Sequence, residues 1–465
     1  MQTFARVLIA ALAWGVLAFG SVYPWAYWPL AAVAAGLGGW ALLYSRQSPD
    51  PRARGLAIAL GVLIVAIGLQ MLAVPYAWLG VLSPGVDRFL REFELVYHPA
   101  SLHALSLAPD HTVVVFGLAT AFALLLAGLV RVVRKMPLDW FAGQLMGLGV
   151  GFALLGIVQK AFFQPDTSAL VYGFWVPQEG GNPFGPFINR NHFAGWMVMT
   201  APIVLAYSVA VAMSSLQTGQ PFLRWIVTQD ASRFLLIASA GLIMAVSIAL
   251  TNSRSGIASF GIALTVLGYF LIRSAKTART RAVVAGYLGA ILVGGVLWAG
   301  PETLIDRFGR AGTDTEVGRV AAWRDTLAIA RDFPVFGVGL GSYGRAMLLY
   351  QTDGRQEMYA QAHNDYLQLL AEGGALVVVP VVGVLAVFIA GVARRLRLRE
   401  DDSLTFWLRR GAIAGMVGMA AQSVVEFSLQ MPGNAVMFVV LAAIAFHRPR
   451  RSSSSKALSS HAHRV

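Results

Sequence analysis

The 465-residue chain has no cysteine. That excludes a disulfide framework and any metal site built on thiolates. Charge is scarce: Asp, Glu, Lys and Arg make up 13%, where soluble domains carry about 25%. No P-loop, dinucleotide fingerprint or serine-nucleophile motif is present. The glycines of GVGLGSYG (337–344) lack the strand-then-helix context such motifs need. No internal repeat and no separate soluble domain stands out, which disfavours a transporter or flippase built on inverted repeats.

What is present is apolar: 57% of residues are hydrophobic and mean hydropathy is +0.64. The apolar residues come in runs of about 17–25, the length that crosses a bilayer. A β-barrel is excluded, because its strands alternate in segments of about ten residues. We expect an all-α polytopic membrane protein with twelve spans at 4–20, 24–44, 55–79, 111–130, 139–161, 192–213, 233–251, 255–272, 282–300, 375–393, 407–425 and 432–447. The first span has one basic residue before it and no clear small-x-small cleavage site, so it reads as an anchor and not a signal peptide. Residues 1–300 then hold nine spans with short loops. A long outward loop follows at 301–374, three more spans at 375–447, and a basic, Ser-rich, disordered tail at 448–465.

Two thirds of the 36 Lys and Arg fall in one set of connections, beginning at Arg6 and ending in the tail. By the positive-inside rule those connections and both termini are cytoplasmic. The net charge of +13 is therefore a topology signal and an attraction to anionic membrane lipids. It is no argument for nucleic acid.

The outward side gathers polar groups at span ends. GPFINRNHFAGW puts Arg190 and His192 at the start of span six. Asn191 is placed to cap that helix, whose N-terminus favours anions. His192 suits a ligand or base role, though a structural role near the cap is the commoner use. ALTNSRSGIASF puts Arg254 in a turn of about three residues between spans seven and eight. A guanidinium held there can grip a phosphate with two parallel hydrogen bonds; snorkelling to headgroups is the alternative. TEVGRVAAWRDTLAIARDF places Val320, Trp323, Leu327 and Ala330 at helical spacing, an amphipathic helix on or near the membrane that also carries Arg319.

QAHNDYLQLLAEGG puts His363 just ahead of span ten, with Asn364 and Asp365 as caps or orienting partners. With the helix starting near Ala362, His363 shares a face with Tyr366, Leu367 and Leu370. Neighbouring arginines would lower its pKa and keep it a proton acceptor near neutral pH. Metal signals are weak. His98, His103, Asp110 and His111 lack tight ligand spacing, and Asp87, Glu92 and Glu94 offer a loose Mg²⁺ alternative.

The ordered set NRNHFAG, NSRSG, GRVAAWRDTLAIARDFPVFGVGLGSYG and AHNDYLQLLAEGG resembles the O-antigen ligase family (WaaL). That family also takes in O-antigen and exopolysaccharide (Wzy) polymerases and pilin-type O-oligosaccharyltransferases. The resemblance is strongest over about 185–375. It implies an enzyme: a metal-independent, inverting glycosyltransferase without cofactor at the periplasmic face of a bacterial inner membrane. The implied donor is a glycan on undecaprenyl diphosphate. The implied acceptor is a hydroxyl of the lipid A–core oligosaccharide or a growing glycan. It also implies catalytic roles for Arg190, Arg254 and His363. Arg319, Trp323, Asn191, His192, Asn364 and Asp365 are the expected substrate-binding set.

Overall fold

The computed structural model describes residues 1–45, 50–93, 98, 101–162, 170–177, 181–216, 222–274, 286, 289, 314–352, 359–397 and 402–447. The chain opens with α1 (Gln2–Leu17), α2 (Pro24–Tyr44) and α3 (Pro51–Leu69). A two-stranded antiparallel ribbon, β1 (Ala73–Pro75) and β2 (Leu102–Ala104), brackets α4 (Tyr76–Leu82) and α5 (Pro84–Phe93). Then come α6 (Pro109–Val132), α7 (Leu138–Phe162), α8 (Arg190–Leu216), α9 (Phe222–Trp225), α10 (Gln229–Leu250) and α11 (Arg254–Ser274). The last described helices are α12 (Asp314–Asp332), α13 (Tyr343–Tyr350), α14 (Asp365–Arg397), α15 (Ser403–Gln422) and α16 (Pro432–Phe446).

Local chemistry sets the helix starts. Proline stands in the first turn of α2, α3, α6 and α16, where its missing N–H costs nothing and its fixed φ suits the helix. Thr228 caps α10 by accepting from Ala231 N at 3.3 Å. Asp402 caps α15 through Leu404 N and Thr405 N.

Among the described residues, eight helices are long and apolar enough to cross a membrane: α2, α3, α6, α7, α8, α10, α11 and α14. The expected spans at 4–20 and 432–447 fall on the shorter apolar helices α1 and α16. The expected span at 407–425 falls on α15, which carries the buried Arg409 and Arg410. The expected span at 282–300 and the tail at 448–465 lie outside the described residues. The protein is thus a helical membrane protein.

Helix α8 is the axis of the bundle. Its apolar window is 78% buried, against 22% for α3 and 17% for α14, whose apolar side chains face outward as lipid requires. Helix α15 lies against α8 because Gly411 and Gly415, four residues apart, let the backbones meet at Pro202–Ile203 and Met199. Small residues at this spacing are the usual means of close helix approach in membranes.

A second core lies outside the bundle. Tyr76, Leu79, Val86 and Leu90 pack with Ala322, Ile329, Phe333, Tyr343 and Met347, joining α4 and α5 to α12 and α13. The glycine-rich turn 337–341 ties this layer down. Gly337, Gly339 and Gly341 have φ of 64°, 96° and 82°, and a Cβ on Gly339 would run into Ser106. Their freedom from a side chain is therefore used for contact. Glu372 on α14 accepts from Tyr343 N at 2.9 Å. Gln70, fully buried at the end of α3, donates to Phe336 O and Glu372 O.

Two expectations change. Helix α14 begins at Asp365, close to the start expected near Ala362, and runs through the expected span edge at 375 with a break at Gly374, φ 53° and ψ −165°. His363 stands ahead of it and so does not share a helix face with Tyr366, Leu367 and Leu370. Its first ten residues belong to the outer layer. Helix α12 forms where expected, but its buried face is Ala322, Asp325, Thr326 and Ile329, while Val320 and Leu327 are exposed. The buried side is small because α12 packs closely on α13 and α14. Asp325 is tolerated there because it accepts from Thr352 N and Oγ1 at 3.0 and 2.9 Å.

Candidate active site

Three helix ends and one connecting segment meet on the outer-layer side of the bundle. Helices α8 and α11 start there, and α15 ends there. A Cβ on Gly256, two residues into α11, would stand 2.5 Å from the Ala194 Cβ of α8. One on Gly195 would stand 2.8 Å from Gln422 Oε1 at the end of α15. Asn189 caps α8 by accepting from Asn191 N at 2.8 Å. Ser253 caps α11 by accepting from Gly256 N at 3.1 Å, after the left-handed Asn252 (φ 52°) closes the α10–α11 turn. Arg190 and Arg254 are the first residues of these two adjoining helices and both are half-buried.

The residue that organises the site is Glu426, in the segment between α15 and α16 and almost wholly buried. Its Oε1 accepts from Asn191 Nδ2 at 2.7 Å and from Arg319 Nη2 at 3.0 Å. Its Oε2 faces His363 Nδ1 at 3.5 Å. Arg319 also donates to Val425 O at 3.3 Å. Burial alone would raise the Glu426 pKa. The hydrogen bond with His363 and the charges of Arg319, His363 and His192 outweigh it, so the carboxyl titrates below its ordinary value. An ionised carboxylate is stable in a dry site when its lone pairs are met in this way.

His363 stands ahead of α14, not within it, and its φ of 50° is left-handed. A non-glycine residue is held there only by its surroundings, and those are specific. Trp323 Nε1 donates to Ala362 O at 2.9 Å, and Gln368 Oε1 accepts from Ala362 N at 3.0 Å. Asn364 caps α14 through Tyr366 N and Leu367 N. Asp365 N donates to Ser423 O at 2.9 Å, and Gln430 Nε2 donates to Asp365 Oδ1 at 2.8 Å. Phe427 lies between two imidazoles, edge to face with His363 at 4.9 Å and with His192 at 4.7 Å.

Asn191, Arg319 and His363, read from distant parts of the sequence, thus converge on one carboxylate. Trp323, Asn364 and Asp365 fix the chain beside His363. Asn191 is not the helix cap; its side chain serves Glu426. His192 is buried behind Phe427. Sequence reasoning missed Glu426. The available signal was a lone carboxylate in an otherwise uncharged outward connection, facing several basic groups that needed a counter-charge.

Among the described residues no cluster of three or more His, Asp or Glu gathers as a metal site. Asp87 is paired with Arg91 at 2.8 Å, and His103 and His111 face carbonyls. Glu94 lies outside the described residues.

Residues 239–382 match the family model described as O-antigen ligase. The matched segment holds Arg254, Arg319, Trp323, His363, Asn364 and Asp365, while Arg190, Asn191, His192 and Glu426 lie outside it. No curated protein matches the chain.

Proposed function

From a chain that carries an O-antigen ligase family domain, we propose a ligase-type glycosyl transfer at the extracytoplasmic face of a bacterial inner membrane, with both termini cytoplasmic. The donor is a glycan on undecaprenyl diphosphate and the acceptor a hydroxyl of the lipid A–core oligosaccharide. The observation that carries this reading is Glu426, which binds Arg319 and Asn191 through one oxygen and faces His363 with the other.

With the carboxylate facing Nδ1, the imidazole keeps its proton on that nitrogen and leaves Nε2 basic. Nε2 takes the proton of the acceptor hydroxyl as its oxygen attacks the anomeric carbon. The bond from that carbon to the diphosphate breaks, and its electron pair leaves with undecaprenyl diphosphate. The diphosphate is a good leaving group, so no general acid is required. A single displacement inverts the anomeric centre through an oxocarbenium-like transition state. Arg190 and Arg254, at two helix N-termini, stabilise the charge growing on the diphosphate. Arg319 is committed to Glu426 in the resting site and acts by holding that carboxylate in place.

Polymerases and protein O-oligosaccharyltransferases would share these steps and differ in the acceptor. The test uses purified protein in bilayers with lipid-linked glycan and lipid A–core. Transfer should occur with a chelator present and be lost in His363→Ala and Arg254→Ala. Full transfer by correctly inserted Arg254→Ala would end the diphosphate role. Chain extension without transfer to lipid A–core would make the protein a polymerase.

A further inference from the structure

Next to the site lies a surface of aromatic rings that the transfer steps do not use. It is made by the α1–α2 turn and by a tight hairpin ahead of α8. In that hairpin Val171 and Trp175 pair through two backbone hydrogen bonds of 3.0 Å. The central residues, Tyr172 and Gly173, have φ of 57° and 79°, the signature of a type I′ turn. Phe174, at its tip, is 72% exposed. In the α1–α2 turn, Phe19, Gly20 and Ser21 are left-handed in succession.

The two turns are locked ring to ring. Phe19 lies 4.9 Å from Trp175 and 5.5 Å from Tyr172. Tyr23 stacks on Trp25 at 6.1 Å with planes 11° apart, and Tyr172 stacks on Phe174 at 6.0 Å. Tyr172 OH donates to Leu17 O at 2.6 Å, and Trp175 Nε1 donates to Tyr23 OH at 3.2 Å. The Tyr23 hydroxyl keeps its own proton to donate. No charged residue lies within 7–45 or 170–177.

The surface is continuous with the site. A Cβ on Gly20 would stand 2.9 Å from the Phe187 ring. Phe187 packs on Phe193, three residues along α8 from Arg190. On the other side Gly433, at the start of α16 just beyond Glu426, is in backbone contact with Gly15 and Gly20.

We propose that these rings form a saccharide-binding subsite that holds sugar residues of the glycan beyond the reacting one. The proposal rests on the transfer reading above. A pyranose presents a face of C–H groups to an aromatic ring and a rim of hydroxyls to polar edges. Tyr and Trp, apolar in body and polar at the tip, match both. Uncharged surface suits a neutral polymer. An aromatic belt at the membrane interface is the competing use of such residues. It needs only rings at span ends. Here the rings sit on two interlocked left-handed turns, one of them in a connection beyond the helices.

The test uses the full chain in nanodiscs. The probe is the lipid-free oligosaccharide released by mild acid from the cell's own lipid-linked glycan, with binding followed by saturation-transfer NMR and titration. Phe174→Ala with Trp175→Ala should weaken binding about tenfold, as expected for two stacked rings. Trp28→Ala, an exposed ring on α2 packed on Tyr27, should bind as wild type. If the double variant does not fold, Phe174→Ser at the exposed tip should still weaken binding about threefold. In transfer, the double variant should raise KM for a many-repeat donor more than for a single-repeat donor.

Wild-type protein that fails to bind the free oligosaccharide overturns the proposal, as does equal binding by the double variant. So does a double variant whose only change is weaker quenching by brominated lipid, which would make the rings an interfacial belt. Ring-dependent binding by a protein without transfer activity would leave the subsite standing and remove the proposed function instead.

Discussion

Arginine is used in opposite ways at the two ends of the bundle. Where α14 ends and α15 begins, Arg395, Arg409 and Arg410 are buried. Arg409 Nη2 donates to His447 O at 2.8 Å, and Arg395 donates to Phe446 O and pairs with Asp50. Arg410 donates to Phe406 O at 2.8 Å and lies over the Phe406 ring. Arg395 and Arg409 thus complete the C-terminus of α16, where the helix dipole welcomes positive charge. At the other end, Arg190 and Arg254 open α8 and α11, where the dipole opposes positive charge. An arginine that satisfies helix carbonyls is structural. Arg190 and Arg254 each stand at a helix N-terminus, where an anion is favoured, and the proposed reaction puts the diphosphate there.

Removing groups at the two ends should therefore give different phenotypes. The largest effect is expected at the outer end. His363→Ala should cut transfer by about 10²–10⁴, the usual worth of a general base, with insertion retained and a fall in thermal midpoint far too small to account for the loss. Arg254→Ala should fall comparably, and Arg254→Lys should recover little, because a point charge does not reproduce two parallel hydrogen bonds. Single-turnover transfer in nanodiscs reads both. Unaltered rates in Arg254→Ala would erase the distinction between the two ends.

Glu426 gives the next effect and ties structure to activity. Glu426→Ala leaves the half-buried Arg319 without its carboxylate; solvent reaches the guanidinium, so the cost should fall below the about 3–5 kcal/mol typical of a fully buried pair. Glu426→Gln keeps the shape, removes the charge, and should lose activity well beyond its loss of stability. The pH sign follows from the lowered pKa. The folded state holds the Glu426 proton more weakly than the unfolded chain does. Its contribution is fully present above the ordinary carboxylate range and is lost as pH falls through the depressed value. Thermal midpoints of wild type and Glu426→Gln should converge at low pH and separate toward neutrality. A constant separation would place the role of Glu426 in packing and not in charge.

The helices were legible because long apolar runs leave little choice in a bilayer. The polar span ends at Arg190, Arg254 and His363 were legible because polar groups there need a reason. The match over 239–382 accords with the family read from those motifs. Three features were not legible. Glu426 carries no pattern, and its importance lies in partners up to 235 residues away, such as Asn191. The buried face of α12 is made of small and polar residues, so ranking by hydrophobicity pointed to Val320 and Leu327 instead. One helix, broken at Gly374, carries both the apolar span expected from 375 and DYLQLLAEGG, a segment too polar to cross a membrane. It is helical through tertiary contacts such as Glu372 with Tyr343 N.

The smallest expected effect tests the structural end. Arg409→Met removes a donor to His447 O and leaves that carbonyl in apolar surroundings. The loss of one buried partner costs about 1–3 kcal/mol. The replacement recovers part of this, because a buried charge of doubtful net worth is exchanged for packing volume. The net change should therefore be a drop of a few degrees in thermal midpoint in detergent, with transfer per folded molecule unaltered. Arg409 stands thirteen residues before the end of α15, about 20 Å along a helix, too far for its charge to act on the site across the bundle. A loss of transfer without a loss of stability would show that α15 couples the two ends, and the division between structural and functional arginines would have to be redrawn.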